Sequence, residues 1–446
     1  MKDDAGIPTI NIKSLLKESD NSYTDEDRSA TASGLLQACE SHGLFFVTGH
    51  GITAARRRLA FENARRFFSL PEATKRKIPA KKGGFTRGYI GFGGESGSDR
   101  LECKEAFSYG YPWPGSQPPK NALQGANIWP ESDELGDVWR EDMIALFRSM
   151  LSVNEAVATG LSLCLDLGLE ALPDLCRGGD TISLFRVFHY FPYCNDSDND
   201  HGCDENEYDY RKDCGEGEGK GKGKDVASVT GAKGDQGQAA GGSGETPPPR
   251  SSSTVSVPRT EKIGSSPHTD WGLSTSILQD GAGGLQFLDQ NTQRWVDVPC
   301  AAEDALVFNC GDYMSLLTKG RLNSPVHRVI TTGVERTSFV FFFYPSFDAT
   351  LPVQATDSVQ ATDSVEATPA GEGPPGDSGA GAACGPDPSR ESIAVKGIPL
   401  IGGREQQEGT RVGHNTLLDL TREVDGALDV SFGQYLARKW GDVFRE

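Results

Sequence analysis

Hydrophobic and polar positions change their period twice along this chain. Near the start, Ile10 and Ile12 alternate with polar neighbours, the two-residue period of a short strand. A helix is expected from about Glu26 to His42. The run Gly43-Leu44-Phe45-Phe46-Val47-Thr48-Gly49-His50-Gly51-Ile52 then reads as a strand ending in a turn. Arg56 to Phe68 predicts a longer helix, closed at Leu70-Pro71 because proline cannot continue the pattern. Between about Glu134 and Leu167, Met143, Leu146, Met150, Leu151, Val157 and Leu161 recur at helical spacing, predicting one long helix whose apolar stripe backs a sheet. From Thr181 onward the period shortens to that of strands, the change expected of a jelly-roll barrel. The most apolar stretch, Phe339 to Tyr344, is far too short to cross a bilayer and suits a buried strand.

Two segments break this patterning. The first, from about Asn195 to Lys262, is rich in Gly, Asp, Glu, Lys and Ser and contains Gly-Lys-Gly-Lys-Gly-Lys at 219 to 224. It lacks the apolar surface needed to offset ordering entropy, so disorder is expected. The second, from about Val353 to Ser392, opens with Gln354-Ala355-Thr356-Asp357-Ser358-Val359 repeated at 360 to 365, and continues rich in Gly and Pro. A flexible insertion is expected there as well. Within the first segment, Asp196, Asp198, Asp200, Asp204 and Glu207 fall at positions of a calcium-loop register. His201 stands where that loop requires glycine and no helix precedes it, so a solvated acidic run is the better reading.

Charge narrows the partners. Lys+Arg 44 against Asp+Glu 63 gives a net charge of -19 over 446 residues. Roughly half of the excess lies in the two biased segments. An acidic chain repels phosphate backbones and anionic lipid surfaces, so neither nucleic acid nor membrane is expected as a partner. The 10 Cys show no C-x-x-C and no compact framework spacing, as free thiols of a reducing compartment do. The first ten residues, MKDDAGIPTI, are unlike a signal peptide. A cytoplasmic, monomeric protein acting on a small-molecule substrate is expected.

The chemistry is concentrated in His268-Thr269-Asp270, His327, and the pair Arg336 and Ser338. Two imidazoles and one carboxylate can cap one face of an Fe(II) ion and leave the opposite face open. Alternate residues of a strand share a face, so H-x-D on a strand delivers a nitrogen and an oxygen to one metal. Arg336 and Ser338 share a strand face by the same rule, and Arg grips carboxylates with a two-pronged contact. The surrounding runs HTDWGLSTSILQDGAGGLQF, FNCGDYMSLLTKGRLNSPVHRV and ERTSFVFFFYPSF resemble the iron(II)- and 2-oxoglutarate-dependent dioxygenases of the isopenicillin-N-synthase-like branch.

The resemblance implies that His268, Asp270 and His327 ligate iron, and that Arg336 and Ser338 hold the distal carboxylate of 2-oxoglutarate, with O2 as the third reactant. The Asn309-Cys310-Gly311-Asp312 turn matches the family's turn before the second histidine and reads as structural. A family tyrosine that helps bind the cosubstrate falls on Tyr190 if the His-Tyr pair is matched. Counting back from Pro192 instead puts Phe191 at that place and His189 where an Asn is frequent. The run around His42 and His50, with Arg87-Gly88-Tyr89 and Lys104-Glu105-Ala106-Phe107, is similar to the family's N-terminal cap. Both histidines read as turn or packing residues.

The implied fold is mainly β with flanking helices. It has a double-stranded β-helix (jelly-roll) core, an α/β cap over about 7–125, a helix and barrel over 126–352, the low-complexity insertion over 353–392, and a closing segment over 393–446. In that last segment Ser431 to Trp440 reads as an amphipathic helix of the kind that covers the barrel mouth in relatives. The implied reaction oxidises a small organic molecule, usually by hydroxylation, with release of succinate and CO2. An oxidase of the same fold that does without 2-oxoglutarate would put a substrate carboxylate on Arg336 instead. A non-catalytic binding protein would have no reason to keep all three metal ligands, and a zinc hydrolase fits the carboxylate anchor poorly.

Overall fold

In the computed structural model of the protein, residues 6–17, 22–80, 87–95, 98, 100–179, 181–192, 262–300, 304–349 and 431–443 are described. The calcium-loop register and both biased segments, Lys262 apart, lie outside the described residues.

The chain begins with strand β1 (Thr9–Asn11) and helix α1 (Asp25–Ser41). A capping box starts the helix: the Thr24 hydroxyl accepts from the Asp27 backbone N–H at 3.2 Å, and the Asp27 carboxylate accepts from that of Thr24 at 2.8 Å. Strand β2 (Leu44–Thr48) follows and stops at Gly49, whose φ of 65° no strand continues through. Helices α2 (Ala54–Phe68) and α3 (Glu72–Lys75) lead to β3 (Gly88–Ile90), β4 (Leu101–Glu102) and β5 (Lys104–Gly110). The single helix expected from Glu134 is two, α4 (Ser132–Leu135) and α5 (Asp137–Cys164). Gly136 between them sits at φ 83°, left-handed backbone that ends one helix and starts the next in a new direction. After α6 (Ala171–Cys176) come β6 (Leu184–Tyr190), β7 (Lys262–Ile263), β8 (Ser265–His268), β9 (Ser274–Gln279), β10 (Leu285–Asp289), β11 (Arg294–Asp297) and β12 (Leu306–Cys310). Helix α7 (Asp312–Leu317), β13 (His327–Val329), β14 (Arg336–Phe343) and helix α8 (Phe432–Val443) complete the described chain.

The strands form a large sheet in the order β1-β2-β12-β9-β14-β6-β5-β3 and a smaller one, β11-β10-β13-β8, with β4 and β7 paired separately. The N-terminal region thus supplies strands to both ends of the large sheet. Period-two alternation divides its faces. Phe339 and Phe341 of β14 turn outward onto α5, joining Met143, Leu146, Met150 and Val157 in the larger core. Their neighbours Ser338 and Val340 turn inward, where Phe188, Ile277, Leu285, Phe287 and Val329 from both sheets form a second apolar cluster. Each such buried Leu, Phe or Met contributes roughly 1.5–3 kcal/mol by leaving water. The outer face is therefore spent on stability, and the inner face is left to line a cavity. Among the described residues no helix is long and apolar enough to cross a membrane.

Candidate metal centre and cavity

The cavity between the sheets has a volume of about 110 Å³. Strand register carries both histidines to it: His268, the last residue of β8, lies directly opposite His327, the first residue of β13. Directly paired residues project on the same side of a sheet, and here the two rings lie 4.3 Å apart. Asp270 arrives differently from expectation, for β8 ends at His268 and Asp270 lies beyond it. Its oxygens nevertheless stand 3.8 Å from His268 Nε2 and 3.7 Å from His327 Nε2. Among the described residues these three form the one cluster of His, Cys, Asp and Glu whose ligand atoms converge, all within 4.8 Å of one another.

The remaining ring nitrogens fix the tautomers. His268 Nδ1 lies 2.7 Å from the Ser266 carbonyl and His327 Nδ1 lies 3.1 Å from the Pro325 carbonyl. A carbonyl only accepts, so each Nδ1 carries a proton and Nε2 is the ring nitrogen that faces Asp270. Burial, reinforced by the neighbouring His327, pushes the His268 pKa down to about 4, so the imidazole is neutral at physiological pH. Burial alone would raise the Asp270 carboxyl. The nearby His327 and His268, with hydrogen bonds from Asn309 and Thr275, outweigh it and hold the group below its ordinary value. Two imidazole nitrogens and one carboxylate on a single face are a donor set suited to Fe(II) with open positions.

The turn at 309–312 is more than the structural element its sequence suggests. Asn309 Nδ2 donates to Asp270 Oδ2 at 2.9 Å. Asp312 accepts from the hydroxyls of Thr269 at 2.9 Å and Ser324 at 2.6 Å, tying together the segments that carry the two histidines. Burial pushes the Asp312 carboxyl up to about 7, against the lowering effect of those two hydrogen bonds. Gly311 lets this turn approach, since a Cβ there would fall 2.2 Å from the Gly272 carbonyl oxygen. Motif reasoning gives neither Asn309 nor Asp312 this role, because hydrogen-bond partners 39 and 43 residues apart leave no spacing signal. Replacing Asn309 with Ala should weaken metal binding by about 10–100-fold, as loss of an outer hydrogen bond to a ligand does. Competition against a chelator measures it, and unchanged affinity would show that Asp270 needs no such support.

To the same cavity β14 brings Arg336 and Ser338, which are 2% and 1% exposed. Arg336 Nη1 donates to Ser338 Oγ at 3.0 Å and Nη2 to Gln279 Oε1 at 3.1 Å, while Nε has no partner. Tyr190 lies opposite Arg336 in the register, and its ring lies 4.8 Å from the guanidinium carbon. The neighbours in the sequence point elsewhere: His189 Nδ1 meets Glu105 Oε1 at 2.8 Å, and the Phe191 ring rests on His189 and Phe92. His50 is a packing residue, accepting from the Ile52 N–H through Nδ1 and donating to the Asp304 carbonyl through Nε2 at 2.6 Å. His42 caps α1 and touches Phe287 edge-on. Helix α8 reaches the cavity through Trp440.

Residues 247–345, which carry all of these cavity groups from β8 to β14, match the family model described as the 2OG-Fe(II) oxygenase superfamily. Residues 7–132 match the model described as non-haem dioxygenase in morphine synthesis N-terminal. The chain belongs to the 2-oxoglutarate–iron(II) oxygenase superfamily. Its cofactors are accordingly Fe(II), 2-oxoglutarate and O2, and it is an oxidoreductase of the dioxygenase type. The 2-oxoglutarate-dependent dioxygenase traH of Penicillium crustosum is 27% identical over 363 residues, covering 80% of this chain and 89% of the relative. The corresponding citB protein of Monascus ruber is 28% identical, covering 77% and 86%. Clavatol oxidase claD of Penicillium crustosum is 26% identical, covering 70% and 78%. The fold of this oxygenase is shared with a full-length Neurospora crassa protein solved in complex with alpha-KG, at TM-score 0.56 and 18% identity over 81% of this chain and 94% of that one. A Caulobacter crescentus 2OG-Fe(II) oxygenase family protein gives TM-score 0.54 and 23% identity over 80% and 94%.

Proposed function

We propose that this oxygenase binds iron through His268, Asp270 and His327, anchors 2-oxoglutarate through Arg336 and Ser338, and hydroxylates a small organic molecule held in the same cavity. The observation that carries the reading is the convergence of two Nε2 atoms on one carboxylate, facing a cavity that also contains a buried guanidinium. Arg336 has only neutral hydrogen-bond partners among the described residues, and a buried, uncompensated guanidinium calls for an anion. The free carboxylate of 2-oxoglutarate is such an anion, and the orphan Arg336 Nε offers it a donor.

When bound, the iron together with 2-oxoglutarate and O2 supplies the C–H-oxidising chemistry, with succinate and CO2 as co-products. The protein's share is positional. The carbonyls of Ser266 and Pro325 hold the imidazoles in the ligating tautomer, Asn309 aims the Asp270 carboxylate, and Arg336 fixes the cosubstrate's distant end. Walls of Phe188, Ile277, Leu285 and Val340 keep water from competing at the reacting carbon. In this reading Tyr190 adds its hydroxyl to the cosubstrate site. Tyr190→Phe should then raise the 2-oxoglutarate KM about tenfold, the value of one hydrogen bond to a charged group. An unchanged KM would remove Tyr190 from the site and leave its ring as packing under Arg336.

Relatives named for small-molecule oxidation, clavatol oxidase among them, support a small-molecule substrate here. Cytosolic placement and a monomeric state belong to the same reading, as does the division into a cap over 7–125 and a catalytic core over 126–352. The direct test is stoichiometry: aerobic enzyme with Fe(II) should form one succinate per 2-oxoglutarate consumed. Oxygen uptake without succinate would instead favour the oxidase that seats a substrate carboxylate on Arg336.

A further inference from the structure

The cavity holds a second arginine whose company differs from that of Arg336. Arg186, on β6, sets Nη1 2.8 Å from Glu95 Oε1 and donates from Nε to Ser108 Oγ at 2.9 Å. Nearby, Lys104 pairs with Glu102 at 2.6 Å. These four buried charges, Arg186, Lys104, Glu95 and Glu102, balance two against two, so this part of the cavity offers hydrogen bonds rather than net charge. Arg186 itself is offset along the strands from the cosubstrate anchor. Arg336 pairs across strands with Tyr190 and Val340 with Arg186, four residues further along β6, or about 13 Å at strand rise.

After these bonds each partner keeps one buried polar atom without a hydrogen-bond partner, Arg186 Nη2 and Glu95 Oε2. The first can only donate and the second, on an ionised carboxylate, can only accept. The Arg186 guanidinium lies against the rings of Phe188 and Trp440, at 5.2 Å and 4.8 Å. Trp440 in turn meets Trp271 edge-on at 5.2 Å, and Trp271 follows Asp270 in the chain. An unpartnered donor and an unpartnered acceptor therefore stand among aromatic side chains that lead back to the metal centre.

We propose that Arg186 and Glu95 form the recognition site for the oxidised substrate, and that this substrate is a neutral phenol. The proposal rests on the reading above, since it concerns the molecule bound beside the same metal centre. A hydroxyl is the smallest group that accepts and donates at one atom, so it satisfies Arg186 Nη2 and Glu95 Oε2 together. An ether accepts but cannot donate, leaving Glu95 Oε2 buried and unpaired. A carboxylate meets that oxygen as a like charge. The aromatic walls select a flat ring over an aliphatic one.

The test is equilibrium binding without turnover. Full-length protein is loaded anaerobically with Fe(II) and 2-oxoglutarate, and calorimetry follows 3,5-dimethylphenol, 3,5-dimethylanisole, 3,5-dimethylbenzoate and 3,5-dimethylcyclohexanol. The phenol should bind at least about tenfold more tightly than the ether or the benzoate, and more tightly than the cyclohexanol. Arg186→Met should bring the phenol down to the level of the ether, and Glu95→Gln should narrow the gap between phenol and benzoate. Breaking one side of a buried ion pair can unfold a protein, so the double variant Arg186→Met/Glu95→Leu provides a neutral, apolar replacement. It too should lose the phenol preference. Equal affinity for phenol and ether, a preference for benzoate or cyclohexanol, or a phenol preference surviving in either arginine variant would overturn the proposal. Affinity for 2-oxoglutarate, measured in the same samples, should stay within about twofold, because Arg186 and Glu95 share no hydrogen-bond partner with Arg336. Failure of the wild-type protein to bind 2-oxoglutarate would instead count against the cosubstrate reading, and the phenol–ether comparison on metal-free protein then judges this subsite by itself.

Discussion

Asp270→Ala should abolish turnover and weaken Fe(II) binding by more than the about 10–100-fold that attends loss of an outer hydrogen bond to a ligand. The expectation follows from what remains. Two imidazoles would face each other across 4.3 Å with no anionic donor, and the buried Asn309 amide would keep only the Cys310 carbonyl as acceptor. The fold should tolerate the change, because Asp270 sits at a cavity wall and the apolar clusters on both faces of the large sheet are untouched. Chelator competition and a thermal melt separate the two effects. A variant that keeps its iron affinity would remove Asp270 from the ligand set, and one that fails to fold would show that the carboxylate also has a structural role.

Arg336→Ala should leave iron binding intact and raise the 2-oxoglutarate requirement by about 30-fold or more. Truncating one partner of a buried, hydrogen-bonded charge pair costs about 2–5 kcal/mol, at 1.4 kcal/mol per tenfold. Arg336 opens β14 and contacts none of the three candidate ligands through a hydrogen bond or ion pair among the described residues. Its loss should therefore appear in the cosubstrate KM and scarcely in the affinity for the metal. Wild-type turnover at low 2-oxoglutarate would contradict the assignment of Arg336, and a parallel loss of iron would show that the cosubstrate anchor and the metal ligands are coupled.

How far the sequence exposes this site depends on the kind of contact involved. The helices are legible because their apolar stripes and caps are local. The break at Gly136 escapes notice because glycine in a helical pattern is tolerated as often as it is decisive, and only the left-handed φ distinguishes the two. His268, Asp270 and His327 are legible as a set through spacing and family resemblance, although the strand argument for Asp270 fails in detail: the strand ends two residues early and a side-chain amide does the aiming. Tyr190 and Phe191 cannot be separated by counting, since a one-residue shift of register reverses the face of every side chain. Sheet pairing opposite Arg336 places Tyr190 on the cavity side. Arg186 and Glu95 are invisible in the sequence, because partners 91 residues apart on a strand and a loop share no motif. Long-range polar pairing is the layer that periodicity does not encode.

One metal and one keto acid should meet in the cavity between the sheets, and an anaerobic titration tests that most directly. Fe(II)-loaded protein should develop a visible charge-transfer absorbance as 2-oxoglutarate is added, saturating at one equivalent per chain. The absorbance should be missing in Asp270→Ala and need far more 2-oxoglutarate in Arg336→Ala. If saturating 2-oxoglutarate leaves the spectrum of the iron-loaded wild-type protein unchanged, the two do not share a site, which contradicts the assignment of His268, Asp270, His327 and Arg336 to one centre.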